Sequence, residues 1–357
     1  MNRREFVCLS AGAITMSALG VRDPECYASG ATSAPGLHEM SVAEFHSAQK
    51  FTTTDQGRIA YIDKGNGPAA LFLHGFPLNS FQWRGVIPQL SKIRRCIAPD
   101  FLALGYTEVA DGQSVAPQAQ LKMLVQLLDK LSISSIDIVA NDSGGAIAQL
   151  FVAHHSDRVR SLLLTNCDTE PDSPPAAVLP VIELARAGKF ADEWLAPWLS
   201  DKALARSEKG LGGQCYANPA HPTDAAIETY LRPLVSSPER KALTNAYAIA
   251  LAPNPLAGIE SALRKSHVAT RIVWGTADKI FSQASPDYLA RTVGNSLGIR
   301  RVSGAKLFFP EEMPSVIVED ARWLWSLRNE QERTVVCKDF GFKHGIGGLL
   351  DWRRLGS

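Results

Sequence analysis

Asp142 is the residue in this sequence best placed to do chemistry. It stands in Ile136-Asp137-Ile138-Val139-Ala140-Asn141-Asp142-Ser143-Gly144-Gly145, where a β-branched apolar run gives way to small and polar residues. Ala146 to Val152 then continues as a helix. A strand, a tight turn and a helix in that order build a nucleophile elbow, with the pattern Gly-x-nucleophile-x-Gly. Ala140-Asn141-Asp142-Ser143-Gly144 fits it, with Asp142 at the tip. Small flanking residues are needed because strand and helix backbones approach closely there. A register one residue later makes Ser143 the tip, but puts Asn141 where a small residue is wanted and ends the apolar strand early. A third reading is a plain strand-to-helix turn with a solvated Asp142.

A second segment faces that turn. Ala70-Leu71-Phe72-Leu73 is a continuous apolar strand of the kind buried on both faces of a parallel sheet. His74-Gly75-Phe76-Pro77 follows at once. The backbone N–H of Phe76, with that of Ser143, is positioned to form an oxyanion-type site, and His74 lies in the same loop.

The elements that must carry these residues alternate. Phe51–Thr54 and Ile59–Ile62 read as a hairpin around Asp55-Gln56-Gly57. Cys96–Pro99, Leu162–Thr165, Thr270–Trp274 and Ile299–Val302 read as further strands. Trp83 to Leu90, Gln118 to Leu131 and Ser315 to Leu327 read as helices between or after them. Repeated strand–helix units imply an α/β fold: an open, mostly parallel sheet flanked by helices, with its site at the strand carboxyl ends. The core is expected over 41–167 and 265–328. Between them, over 168–264, the rhythm stops and helical patterns follow one another, which predicts an inserted helical cap. Its Trp194, Tyr216, Tyr230 and Tyr247 are pocket candidates, although packing against the sheet accounts for any one of them.

Composition bounds the function. The chain has 357 residues, 45% of them apolar, and a net charge of +1. That is enough for a large core, and gives no basic field or zinc-like spacing pointing to nucleic acid. The six cysteines are widely spaced, and no metal pattern appears. His154 and His155 are accounted for by a helix C-terminus. Residues 1–40 are expected to be a twin-arginine export signal and linker, from Arg3-Arg4 and the short apolar run Val7 to Val21. That predicts a periplasmic or exported protein with no stable membrane span after processing. The tail, 329–357, has no expected place in the fold.

From about residue 50 to 328 the sequence resembles the α/β-hydrolase superfamily, in the branch of haloalkane dehalogenases, fluoroacetate dehalogenases and epoxide hydrolases. The resemblance rests on His74-Gly75-Phe76-Pro77, Trp83 with Val86-Ile87-Pro88, Ala98-Pro99-Asp100, the elbow, the cap position and Trp274-Gly275-Thr276-Ala277-Asp278. It implies an α/β-hydrolase fold, no cofactor, a small-molecule substrate, and an aspartate that forms a covalent ester later hydrolysed by a histidine-activated water. Asp142 matches the nucleophile and Asp278 the acid that orients the histidine. The histidine itself is missing: in Gly304-Ala305-Lys306-Leu307-Phe308-Phe309-Pro310-Glu311-Glu312-Met313-Pro314 its place falls on Leu307. Neighbouring Lys306 is read as a solvated surface lysine, or as filling part of that space and pairing with Asp142 and Asp278, or as a catalytic acid–base group there. The halide-holding Asn and Trp of haloalkane dehalogenases, and the Arg of fluoroacetate dehalogenases, are replaced by Phe76 and Ser143. Epoxide hydrolases share His-Gly-Phe-Pro and use cap tyrosines. The expectation is therefore a hydrolase for a small, largely apolar substrate with an incomplete or altered triad. The alternative is a ligand-binding or covalently scavenging protein of the same fold.

Overall fold

The computed structural model describes residues 38–110 and 112–339. The export signal expected at the N-terminus lies outside them. Among the described residues nine strands form one sheet: β1 Gln49–Thr54, β2 Gly57–Lys64, β3 Ala69–Leu73, β4 Arg95–Pro99, β5 Glu108–Val109, β6 Ile136–Asp142, β7 Val159–Cys167, β8 Ala269–Gly275 and β9 Ser296–Val302. Their order is β1-β2-β4-β3-β6-β7-β8-β9, with β5 beside β2. β2 pairs antiparallel with β1, β4 and β5, and every later pairing is parallel.

β3 and β6 are buried along their whole length, which explains why neither shows an apolar–polar alternation. Helices Pro117–Lys130, Ser143–His155, Ser285–Thr292 and Pro314–Asp339 flank the sheet. Asp137, near the start of β6, is buried and paired with Arg94 at 3.1 Å and Arg160 at 2.7 Å. Those pairs satisfy it at the strand's far end, away from the turn at Asp142.

Between β7 and β8 the chain leaves the sheet. Helices Leu179–Arg186, Asp224–Val235 and Pro238–Ile249, with shorter helical turns among them, make an inserted cap. Three local differences from the sequence reading have clear causes. The expected helix from Trp83 to Leu90 divides into a 3-10 turn, Ser80–Trp83, and one α turn, Ile87–Leu90. Asn79 caps the first by accepting from the Phe81 amide at 3.0 Å, and Pro88 starts the second. An unanticipated helix, Val42–Ala48, opens the described chain, set by a capping box between Ser41 and Glu44. The last helix runs on to Asp339, so the expected placeless tail begins as helix; residues 340–357 lie outside the described ones. Among the described residues no helix is long and apolar enough to cross a membrane.

Candidate functional site

Asp142 occupies the turn between β6 and the helix Ser143–His155, with φ 55° and ψ −136°. A non-glycine residue there carries strain of about 1–3 kcal/mol, held in place by the packing around it. The sharp turn needs close approach: a Cβ on Gly144 would stand 2.5 Å from the His74 carbonyl oxygen and 2.7 Å from that of Leu73. The elbow therefore lies hard against the end of β3. One oxygen of the Asp142 carboxylate accepts from the Ser143 amide, and the Phe76 amide also bonds this carboxylate. Both backbone donors expected near the turn thus face one side chain. Burial first, and the negative charge of Asp168 second, push the Asp142 pKa up to about 8, against the pull of the Ser143 amide.

A line of side-chain amides fixes the floor of the site. Gln82 accepts from the Gly75 amide at 2.9 Å and donates to Asn141 Oδ1 at 2.6 Å. Asn141 Nδ2 in turn donates to Thr165 Oγ1 at 2.9 Å and to the Leu307 carbonyl at 3.1 Å. This is why a buried Asn, rather than a small residue, precedes Asp142: it ties β3, β6, β7 and the loop after β9 together.

Asp278 follows β8 and is buried. Asn166 Nδ2 donates to it at 2.7 Å and the Ile280 amide at 2.8 Å. Burial outweighs these donors and raises its pKa to about 6. A further carboxylate, Asp168, stands just beyond β7 and is also buried. Its Oδ1 accepts from Ser173 Oγ at 2.8 Å, and burial lifts its pKa to about 7. The sequence reading treated Asp168 only as the start of the cap. The signal that could have found it is its place at a strand carboxyl end, beside the elbow strand.

The loop after β9 is committed elsewhere. Leu307 is buried, and Lys306 Nζ donates to the Gly213 carbonyl of the cap at 2.6 Å. Among the described residues no ion pair joins Lys306 to Asp142 or Asp278, so the expected re-aiming of Lys306 into the site does not occur. The ammonium is bonded to the cap backbone instead. The Phe308 amide reaches the Cys215 carbonyl at 2.9 Å, and Glu312 accepts from the amides of Ala217 and Asn218 at 2.9 and 2.8 Å. The loop is stitched to the cap along its length.

His74 is spent as well. Its Nδ1 donates to the Gly75 carbonyl at 2.9 Å, and its Nε2 accepts from the Phe101 amide at 3.1 Å. That pair requires the neutral ring, and full burial lowers its pKa to about 4. Both ring nitrogens of His74 are engaged in shaping the loop.

Of the cap aromatics, Tyr247 reaches the site. Its ring stacks on Phe76 with centroids 5.1 Å apart, and its hydroxyl lies 3.2 Å from Ser143 Oγ. Tyr216 and Tyr230 do not line the site's cavity. The Tyr216 hydroxyl donates to Glu311 at 2.8 Å, and the Tyr230 hydroxyl accepts from Arg84 at 2.9 Å. Arg84 and Glu311 form a buried ion pair, and the two phenols complete its hydrogen bonding. Trp194 packs between Phe190 and Trp198 within the cap. The cavity beside the elbow is small, about 20 Å³, and is lined by Ser143, Asp168, Tyr247, Gln120, Ile147 and Leu251 among others. It has room for about one water.

The alpha/beta hydrolase fold family model matches residues 68–312, more than half of the chain. The chain belongs to that family. Among characterised relatives, haloalkane dehalogenase 2 of Mycobacterium tuberculosis is 34% identical over 113 residues, which is 32% of this chain and 40% of that protein. The chain thus matches about two fifths of the length of that relative. Among solved structures, an alpha/beta hydrolase fold protein from Burkholderia ambifaria aligns with TM-score 0.67 and 24% identity, over 80% of this chain and 99% of that one. An epoxide hydrolase aligns with TM-score 0.64 and 20% identity, over 78% of this chain and 98% of that one. These structural likenesses bear on the fold: a sheet flanked by helices with an inserted helical cap.

Proposed function

We propose that the protein is a hydrolase that opens a small, largely apolar electrophile through Asp142 as nucleophile, without the family's histidine. The observation that carries this is the Asp142 carboxylate at a strained turn, held by the amides of Ser143 and Phe76. Strain of that kind is kept where a side chain must be presented in one direction. With Oδ1 held by the Ser143 amide, Oδ2 is the oxygen that attacks in line. A bond forms between that oxygen and a substrate carbon, the bond from carbon to its leaving group breaks, and the leaving group departs with the electron pair. The result is an ester on Asp142. The same amides then face the ester carbonyl oxygen, where charge develops when water adds.

The similarity to haloalkane dehalogenase 2 supports a carbon electrophile bearing halide. Tyr247 gives an epoxide equal standing, since its hydroxyl beside Ser143 can protonate a leaving oxygen. Tyr216 and Tyr230 have their hydroxyls engaged by the Arg84–Glu311 pair. Leu307, in the place the resemblance gives to the histidine, leaves Asp278 no imidazole to orient, so Asp278 serves the loop that frames the site.

The test is a panel of bromoalkanes and alkyl epoxides, followed by product analysis and intact-protein mass spectrometry. Turnover, or a covalent adduct, that disappears in Asp142→Asn is expected. Neither turnover nor adduct over the whole panel would overturn the reading. A second reading, a scavenger that forms the ester and keeps it, draws on the same Leu307; a persistent wild-type adduct without turnover would select it.

A further inference from the structure

We propose that Asp168 is the general base that activates water to hydrolyse the ester on Asp142. The inference rests on the Asp142 reading above, and names the residue that supplies the step for which the sequence offers no histidine. Its place in the sheet is the first argument. Asp142 of β6 is registered opposite Cys167 of the neighbouring strand β7, and Asp168 is the next residue. Adjacent strands lie about 4.8 Å apart, so Asp168 leaves β7 at the same end of the sheet as Asp142, close enough for its charge to act on the Asp142 carboxylate.

The cavity is the second. Asp168 shares its lining with Ser143, whose amide holds Asp142, and with Tyr247. The space takes about one water. A hydrolytic water there would lie between Asp168 and Ser143, the residue next to Asp142.

The third argument is that Asp168 has capacity left and the competing groups do not. Its one side-chain donor is Ser173 Oγ, and among the described residues it meets no cation. Its backbone carbonyl, not its carboxylate, holds Gln149 Nε2 at 2.7 Å. Asp278 is committed to Asn166 and the Ile280 amide, Lys306 to Gly213, and His74 to Gly75 and Phe101.

Asp142 and Asp168 repel one another when both are ionised. The other titratable groups facing it are Asp172, Tyr247 and Cys167. In the step, Asp168 takes a proton from water as the water oxygen bonds to the ester carbonyl carbon. The carbonyl electron pair moves to the oxygen held by the Ser143 and Phe76 amides. On collapse the bond from that carbon to the alkyl oxygen breaks, and the departing alkoxide takes the proton back from Asp168. Asp142 is regenerated, carrying one oxygen from water.

The experiment uses the full chain with bromohexane and epoxyhexane, measuring product by rapid quench and adduct by intact-protein mass spectrometry. Wild-type turnover is expected, with Asp168→Asn giving one equivalent of bromide, a persistent adduct on the Asp142 peptide, and ester hydrolysis slowed about hundredfold or more. The burst itself shows that the variant is folded and its nucleophile intact. Should the Asn variant give no burst, Asp168→Glu decides: restored turnover supports the base, and no turnover overturns it. Unchanged hydrolysis in Asp168→Asn overturns the inference and leaves the Asp142 reading standing. So does a wild-type adduct that never turns over. A wild type that gives neither adduct nor turnover overturns both.

Discussion

Gly75 lies directly against the side chain of Asp142: a Cβ placed on it would stand 2.6 Å from the Asp142 Cβ and 3.0 Å from its Cγ. The loop after β3 and the elbow therefore fit as one surface, with the Phe76 amide delivered to the carboxylate by that contact. Gly75→Ala must push the carboxylate or the loop away. The expected outcome is loss of most activity toward whichever probe the wild type accepts, with destabilisation of about 1–3 kcal/mol in denaturant unfolding. Wild-type activity in the Ala variant would show that the amide and the carboxylate do not act together.

Three buried carboxylates at the site, Asp142, Asp168 and Asp278, give stability a pH dependence. Unfolded, Asp142 ionises near a pKa of about 4. In the fold it is held at about 8, by burial first and by Asp168 second. The folded state keeps a proton that the unfolded chain has lost, so stability is full below about pH 4 and falls as pH rises toward 8. Asp168 and Asp278, raised to about 7 and about 6, act in the same direction. Asp142→Asn removes the largest of these effects. Its melting temperature should exceed that of wild type by a margin that widens from about pH 5 to about pH 9, reaching several degrees. A margin constant over that range would mean that Asp142 ionises normally in the fold.

The Arg84–Glu311 pair is a structural clamp between the core, the cap and the last loop. Both side chains are buried, with Tyr216 and Tyr230 bonded to them. Removing one charge leaves the other without its partner. Arg84→Met is expected to cost about 3–5 kcal/mol, and the double variant Arg84→Met with Glu311→Gln less than the single one. Urea unfolding of both variants checks this.

Leu307→His tests the resemblance at its weakest point. If the loop after β9 holds the family's geometry, the new imidazole faces the elbow and has Asp278 to orient it. Ester hydrolysis should then persist in the double variant Leu307→His with Asp168→Asn, where Asp168→Asn alone is blocked. Rapid-quench measurement of adduct decay distinguishes the two. No rescue would mean that the stitching of this loop to the cap, through Lys306, Phe308 and Glu312, has carried position 307 out of reach.

Much of the architecture was legible because it rests on local pattern. The unbroken apolar run of β6 and the small residues after it mark a buried strand entering a tight turn, and Asp142 does stand at its tip. The cap was legible as a loss of the strand–helix rhythm. What stayed hidden depends on partners distant in the chain. Lys306 beside two carboxylates looked like an ion pair in the making, yet its partner is a backbone carbonyl at Gly213, to which no residue type points. Tyr216 and Tyr230 looked like pocket residues because they are cap aromatics. Their hydroxyls go to Glu311 and Arg84, which no local pattern connects to them. Asp168 was overlooked because it follows an ordinary buried strand with no motif of its own. Only the register of β7 against β6 brings it to the strand end where Asp142 stands.

The most direct measurement is a single turnover in water enriched in oxygen-18, with protein in excess over bromohexane or epoxyhexane, followed by mass spectrometry of the peptide that carries Asp142. Hydrolysis of an ester on Asp142 puts the heavy oxygen into that carboxylate, and the first alcohol or diol released carries the light oxygen that Asp142 donated. That is the predicted result. Product labelled at the first turnover, with an unlabelled Asp142 peptide, would mean that water attacks the substrate directly and that Asp142 is not the nucleophile.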